Sequence, residues 1–244
     1  MLLMNKKENS RAAAFKFKPE LISTYLLPAL LFLSFPFIIY AHYLIFLKVP
    51  NEKIMGAVQR IFYFHVGAAT STYLIGGILL IASISYLLTS HKIFNALNIA
   101  AAEVALLLAS ITLISGSIWG HSAWNTWFRW EPRLVSFLIL WFILLSLCFF
   151  RRWANPDKAA LQSAVLGIVA AMMIPIVIYS IKLFPNLIQL HPIVVEKGGL
   201  RDQRFIYALS WSILAFAILS SLLLSFRALI EILEQDYKIR DKNG

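Results

Sequence analysis

Six long stretches of this 244-residue chain contain no Asp, Glu, Lys or Arg: Leu21–Leu47, Ile61–Ser90, Val104–Phe128, Leu134–Phe150, Ala159–Ile181 and Phe205–Phe226. A helix needs roughly 20 predominantly apolar residues to cross the hydrocarbon layer, and each run is long enough or nearly so. The shortest, Leu134–Phe150, gains length from the aromatic residues and arginines that flank it. A shorter apolar run, Ile93–Ala102, leads into the third. With 60% hydrophobic and 14% charged residues, too little polar surface remains to wrap a water-soluble core. The runs predict an all-α integral membrane protein with six transmembrane helices.

The first run starts about twenty residues into the chain. It is too long for the apolar part of a secretory signal and has no small-residue cleavage site after it, so it reads as a true span. Pro28 and Pro36 within it predict a kinked helix, which membranes tolerate. Six spans put both termini on one side. Lys and Arg number 13 on that side and 9 on the other, so the positive-inside rule assigns both termini to the cytoplasm. The expected organisation is a basic cytoplasmic tail over 1–20, a six-helix membrane domain over 21–227 and a second cytoplasmic tail over 228–244. The outer loops are 48–60, 119–133 and 182–204, the tryptophan-rich 119–133 joining helices 3 and 4.

On this topology the net charge of +10 belongs to membrane orientation and to contact with anionic lipid. No basic–aromatic nucleic-acid module occurs, so nucleic acid is not an expected partner. Cys148 stands alone and no C-x-x-C is present, which excludes dithiol chemistry and covalent haem attachment through such a motif. A phosphate-cradling G-x-x-x-x-G-K-[ST] is also missing, so ATP-driven work falls to a partner; Gly76-Gly77 reads as a helix-packing pair.

The histidines are unevenly placed. His42, His65, His121 and His191 all fall towards the outer face, and only His91 faces the cytoplasm. Imidazole is the usual axial ligand of haem iron, and bis-histidine ligation needs two rings that approach opposite faces. His65, on a helix in "RIFYFHVGAAT", suits a positioned ligand; His191, in "IQLHPIVVEKGG", sits on a proline-held loop able to close over a bound ring. Each has an alternative as a residue that hydrogen-bonds a carbonyl or headgroup. His42 reads as structural or interfacial. Glu103, the one acid in the third apolar segment, is either an intramembrane functional carboxylate or a first-turn residue of a helix starting near Ala102; the second reading is preferred.

The stretch "WGHSAWNTWFRWEP" (119–132) holds four of the seven tryptophans. On a helix at about 100° per residue, Trp119, Trp124, Trp127 and Trp130 share an arc of about 140°. An aromatic belt at headgroup level would spread its rings over many helix ends. Four in one loop favour a shelf for a flat apolar ligand. Haem carries two propionates on one edge, and Arg129 and Arg133 are suited to pair with them, or else anchor headgroups; Glu131 would orient an arginine or hold the loop backbone.

"WGHSAWNTWFRWEPRLVSFLIL" resembles the tryptophan-rich motif of the CcmC-type haem-handling proteins of cytochrome c maturation, close to W-G-x-x-x-W-x-x-W-x-W-D-x-R-L. Trp119, Gly120, Trp124, Trp127, Trp130, Arg133 and Leu134 match it. Glu131 stands where the family has Asp, and Pro132, Phe128 and Arg129 depart from it. Pro132 is also seen in the related CcsA proteins; the motif is shared with CcmF and CcsA as well. "YFHVGAA" is similar to the family's first haem-ligand segment, which implies His65 as one axial ligand and His191 as the other. The resemblance covers nearly the whole chain. It implies a non-enzymatic protein of the bacterial inner membrane that holds haem b transiently at the periplasmic face and delivers it to a periplasmic haem chaperone. A small membrane subunit and an ABC-type ATPase and permease would complete the complex. The alternatives are a CcsA-like component of a cytochrome c synthase, a cytochrome b-type electron-transfer protein, or a permease for another substrate. One-sided histidines argue against the second of these, and very short inner loops against the third.

Overall fold

The structure is a computed structural model that describes residues 19–53, 55–154, 156–187 and 202–243. Its helices are α1 (Leu27–Tyr43), α2 (Ile61–Thr89), α3 (Lys92–Trp124), α4 (Pro132–Trp153), α5 (Pro156–Leu183) and α6 (Gln203–Asn243). All six are long and apolar enough to cross a membrane. Among the described residues the only β-pairing is an isolated bridge between Glu52 and Gly56. The protein is therefore an all-α, multi-pass membrane protein.

Chemistry at the helix ends explains where several of them begin and stop. Pro132 occupies the first turn of α4, where its missing N–H has no intrahelical partner to lose. Asp202 accepts the Arg204 N–H at the start of α6, and the Arg204 guanidinium and backbone N–H hold its carboxyl below the usual carboxylate range. Helix α1 continues through Pro36 and is extended by two wide turns, Ile22–Leu26 and Leu44–Lys48, with i→i+5 bonds such as Val49 N–H to Leu44 O at 2.9 Å.

Helices α2 and α3 form the central antiparallel pair, with α4–α5 against one side and α6 against the other; α1 packs chiefly on α6. Lipid tails are as apolar as leucine, so the close approach comes from small side chains and interhelical polar bonds. Ala96, Ala100, Ala101, Ala102, Ala105 and Ala109 of α3 are buried. A Cβ at Gly167 of α5 would lie 2.9 Å from Asn98 Nδ2, so only glycine fits beneath that amide. Asn98 donates to Ser83 Oγ at 2.8 Å, Trp141 Nε1 to Ser110 Oγ at 2.8 Å, and Ser212 Oγ to the Tyr63 carbonyl at 2.8 Å. Each such bond contributes on the order of 0.6 kcal/mol in a bilayer. Phe32, Phe35, Leu88, Phe149 and Val165 point outward and are exposed, as lipid-facing positions require.

One sequence expectation is corrected here. Helix α3 begins at Lys92, more than two turns earlier than the start near Ala102, so Glu103 lies in its interior and not in its first turn. Glu103 is instead one end of an ion-pair cluster. Arg227 of α6 reaches Glu103 Oε2 at 2.6 Å and Glu231 Oε2 at 3.1 Å. Nearby, Arg151 donates to Asn95 Oδ1 at 3.2 Å, and Lys92 pairs with Asp236. The last helix also runs unbroken to Asn243, so the stretch from 228 onward continues α6. The first residues of α1 and the end of α6 lie towards this ion-paired end of the bundle, while the tryptophan stretch lies at the other.

Candidate functional site

At the tryptophan end a cavity of about 290 Å³ opens between α2, α3, α4 and the 125–131 segment. That is near the lower bound of about 300 Å³ for small-molecule pockets. Its walls are apolar and aromatic at depth, with Tyr73 and Phe137 at the inner end. Trp119, Trp124, Trp127 and Phe128 lie towards the loop. Arg129 and Arg133 also line it, and no carboxylate lines it among the described residues.

His65 lies in the wall, one turn into α2. Its Nδ1 is 3.1 Å from the Thr112 carbonyl and 3.3 Å from Ser115 Oγ. A carbonyl only accepts, so Nδ1 carries the proton of the neutral ring and Nε2 carries the lone pair. That is the tautomer a metal ligand needs, fixed from behind by a backbone oxygen. Gly116, one turn beyond Thr112, makes the contact possible. A Cβ there would stand 2.9 Å from His65 Cε1 and 3.3 Å from Nδ1. Thr112, Ser115 and Gly116 carry no motif that marks them as part of a site. The available signal was the Ser115-Gly116-Ser117 run of small residues one turn before Trp119.

The tryptophans do not share one helical arc. Helix α3 carries Trp119 and Trp124, whose rings meet edge to face at 5.0 Å, and stops at Asn125 in the left-handed conformation (φ 54°). Asparagine tolerates that region, and its N–H closes on the His121 carbonyl at 2.9 Å. The chain then turns back over the end of α3, passing so near Gly120 that a Cβ there would lie 3.4 Å from the Thr126 carbonyl. Trp127 still reaches the cavity. Trp130 does not line it, is 81% exposed, and meets Phe128 edge to face at 5.2 Å.

The charged residues divide the work. Glu131 is 4% exposed and accepts Arg129 Nε at 2.9 Å, so it orients the guanidinium and does not itself line the cavity. Arg129 also stands 5.9 Å from the Trp124 ring centroid, a cation–π arrangement. Arg133 donates from Nη2 to the Ile178 carbonyl at 3.0 Å, tying the start of α4 to α5. His121 stacks on Trp127 with centroids 4.2 Å apart. His42 bonds the Ile38 carbonyl at 2.8 Å within its own helix, and His91 caps α3. His191 lies outside the described residues. Among the described residues no three His, Cys, Asp or Glu side chains converge as a bare-ion metal site.

The helices define a polytopic membrane protein with a cation-lined aromatic cavity at one end. A sequence profile of the Heme exporter protein C family (CcmC) matches residues 11–242. The chain belongs to that family. It is 31% identical over 171 residues to Heme exporter protein C of Bradyrhizobium diazoefficiens, covering 70% of this chain and 65% of that protein. With the Rhodobacter capsulatus protein of the same name it shares 36% over 128 residues, covering 52% and 53%. With the Escherichia coli one it shares 28% over 194 residues, covering 76% of each. The chain thus spans about half to two thirds of the length of the first two of these relatives.

Proposed function

We propose that this protein binds haem b transiently in the cavity at the outer face of a bacterial inner membrane and delivers it to a periplasmic haem chaperone for c-type cytochrome maturation. Haem is cargo in this reading, and the protein performs no catalysis. The observation that carries it is His65: an imidazole in the wall of an aromatic cavity, its Nδ1 tied to the Thr112 carbonyl and two guanidinium groups in the same lining. Aromatic walls match the faces of a porphyrin, and Arg129 and Arg133 match its propionates. His191 is the second axial ligand, and Trp119, Gly120, Trp124 and Trp127 form the walls. Trp130, which projects from the cavity, flanks the bound ring. Support also comes from the names of the relatives, which are haem exporters. The partners are a small membrane subunit and an ABC-type ATPase and permease, with the termini cytoplasmic.

The test is the absorption spectrum of detergent-purified protein from haem-replete cells that also express the chaperone. Wild type carries a Soret band that is lost or shifted in His65→Ala and in His191→Ala. Haem-free wild type overturns the reading. Unchanged spectra in both variants move ligation to His121 or His42. Redox turnover with quinol supports the cytochrome b-type alternative instead.

A further inference from the structure

We propose that Gly116 is a positioning residue for the ligand histidine: the missing side chain at 116 is the notch into which the His65 ring fits, and that notch sets the tautomer and direction of the ring. This rests on the reading of His65 as a ligand. The geometry is specific. Measured from the position a Cβ at 116 would take, His65 Cε1 is at 2.9 Å, Nδ1 at 3.3 Å and Nε2 at 4.0 Å. The ring therefore presents its Cε1–Nδ1 edge to the α3 backbone. On that edge Nδ1 finds the Thr112 carbonyl at 3.1 Å and Ser115 Oγ at 3.3 Å.

A Cβ contact under 3.0 Å requires one of the two groups to move, and the neighbour here is not a pliant chain end. Cε1 belongs to a rigid ring, itself held by a backbone oxygen. A methyl group at 116 would swing the imidazole off Thr112, releasing the hydrogen bond that fixes the proton on Nδ1 and turning Nε2 out of line. The glycine also lies inside a long helix, where it is less favourable than alanine. Close packing against a neighbouring side chain is a sufficient physical reason for that concession, and the side chain it admits is His65. Gly77 gives the contrast within the same bundle. It too is interior to a helix, and a Cβ there would meet nothing within 4 Å.

Gly116→Ala is compared with Gly77→Ala in two measurements on the detergent-purified full chain. The first needs no haem. In protein labelled with ¹⁵N at histidine, the His65 signals (assigned by their loss in His65→Ala) report a protonated Nδ1 and unprotonated Nε2 in wild type and Gly77→Ala. In Gly116→Ala they move towards the opposite tautomer or a mixture. The second is haem titration, in which Gly116→Ala weakens binding about tenfold with a changed Soret position, and Gly77→Ala does neither. Alanine's helix preference offsets part of the cost of the clash, so any fall in the melting temperature of Gly116→Ala is small. Wild-type histidine signals in Gly116→Ala overturn the proposal. So does wild-type haem affinity and spectrum in Gly116→Ala when His65→Ala has lost them. Loss of the ¹⁵N signature in Gly116→Ala together with haem-free wild type would leave the notch standing and sink the haem reading alone.

Discussion

Helix α3 has charged neighbours at both ends, and the two ends use them in opposite ways. At the ion-paired end Arg227 meets two carboxylates, Glu103 and Glu231, Arg151 meets Asn95, and Lys92 meets Asp236. Charge is matched and the groups knit α3, α4 and α6 together. At the tryptophan end two guanidinium groups line a cavity with no carboxylate among its described lining residues, and Glu131 holds Arg129 from behind. The first arrangement closes a bundle. The second places two guanidinium groups beside an aromatic hollow, an arrangement suited to a flat, anionic ligand. Similar residue types thus tie helices to one another at one end and line a cavity at the other.

This contrast can be broken by experiment. Arg227→Ala should give the largest effect and on stability only, leaving two carboxylates without their cation. About 2 kcal/mol is expected, less than the roughly 3–5 kcal/mol of a fully buried pair because Glu103 is 43% exposed. A thermal melt in detergent measures it, and haem bound per folded molecule should stay constant; a fall in that ratio would mean the two ends are coupled. Arg129→Ala should act on the ligand, weakening haem about tenfold, and it should also lower the melting temperature because the buried Glu131 carboxylate loses this cation. A porphyrin with both propionates esterified should bind the variant as it binds wild type. Equal loss for both ligands would show that Arg129 acts through the fold of the loop and not through charge. The smallest effect is expected for Asn125→Ala, which places a Cβ-bearing residue without a local hydrogen-bonding side chain in the left-handed region at a cost of about 1 kcal/mol. Its haem loss should be smaller than that of Arg129→Ala, and Asn125→Gly should restore both properties.

The spans were legible because the hydrocarbon layer sets a length, and a charge-free run of that length has few other uses. The start of α3 was not legible, because a charge inside a helix looks like a boundary until its partner is known. Arg227 lies on the last helix, and no local pattern around Glu103 announces it. The aromatic character of the candidate site could be read from its residues, but its shape could not. A helical wheel assumes that the helix continues, and Asn125 ends it between the second and third tryptophans of the motif. The turn sends Trp127 back to the cavity and Trp130 away from it. Gly116 is illegible in the sequence for a related reason: its meaning lies in a ring presented by α2, roughly fifty residues earlier in the chain.

The partnership of α1 with α6 has a consequence for how the molecule comes into being. Phe37 and Tyr40 of the first span rest on Trp211 of the last, with centroids 5.3 and 4.7 Å apart. At about 5–20 residues per second of synthesis, α1 waits on the order of ten seconds before its principal neighbour exists. A contact open to it earlier is with the start of α2, where in the finished fold Arg60 Nε donates to the Ile45 carbonyl at 3.1 Å. Assembly is therefore a ring closure in time as well as in space: α6, made after the other five helices, is the one that seats α1.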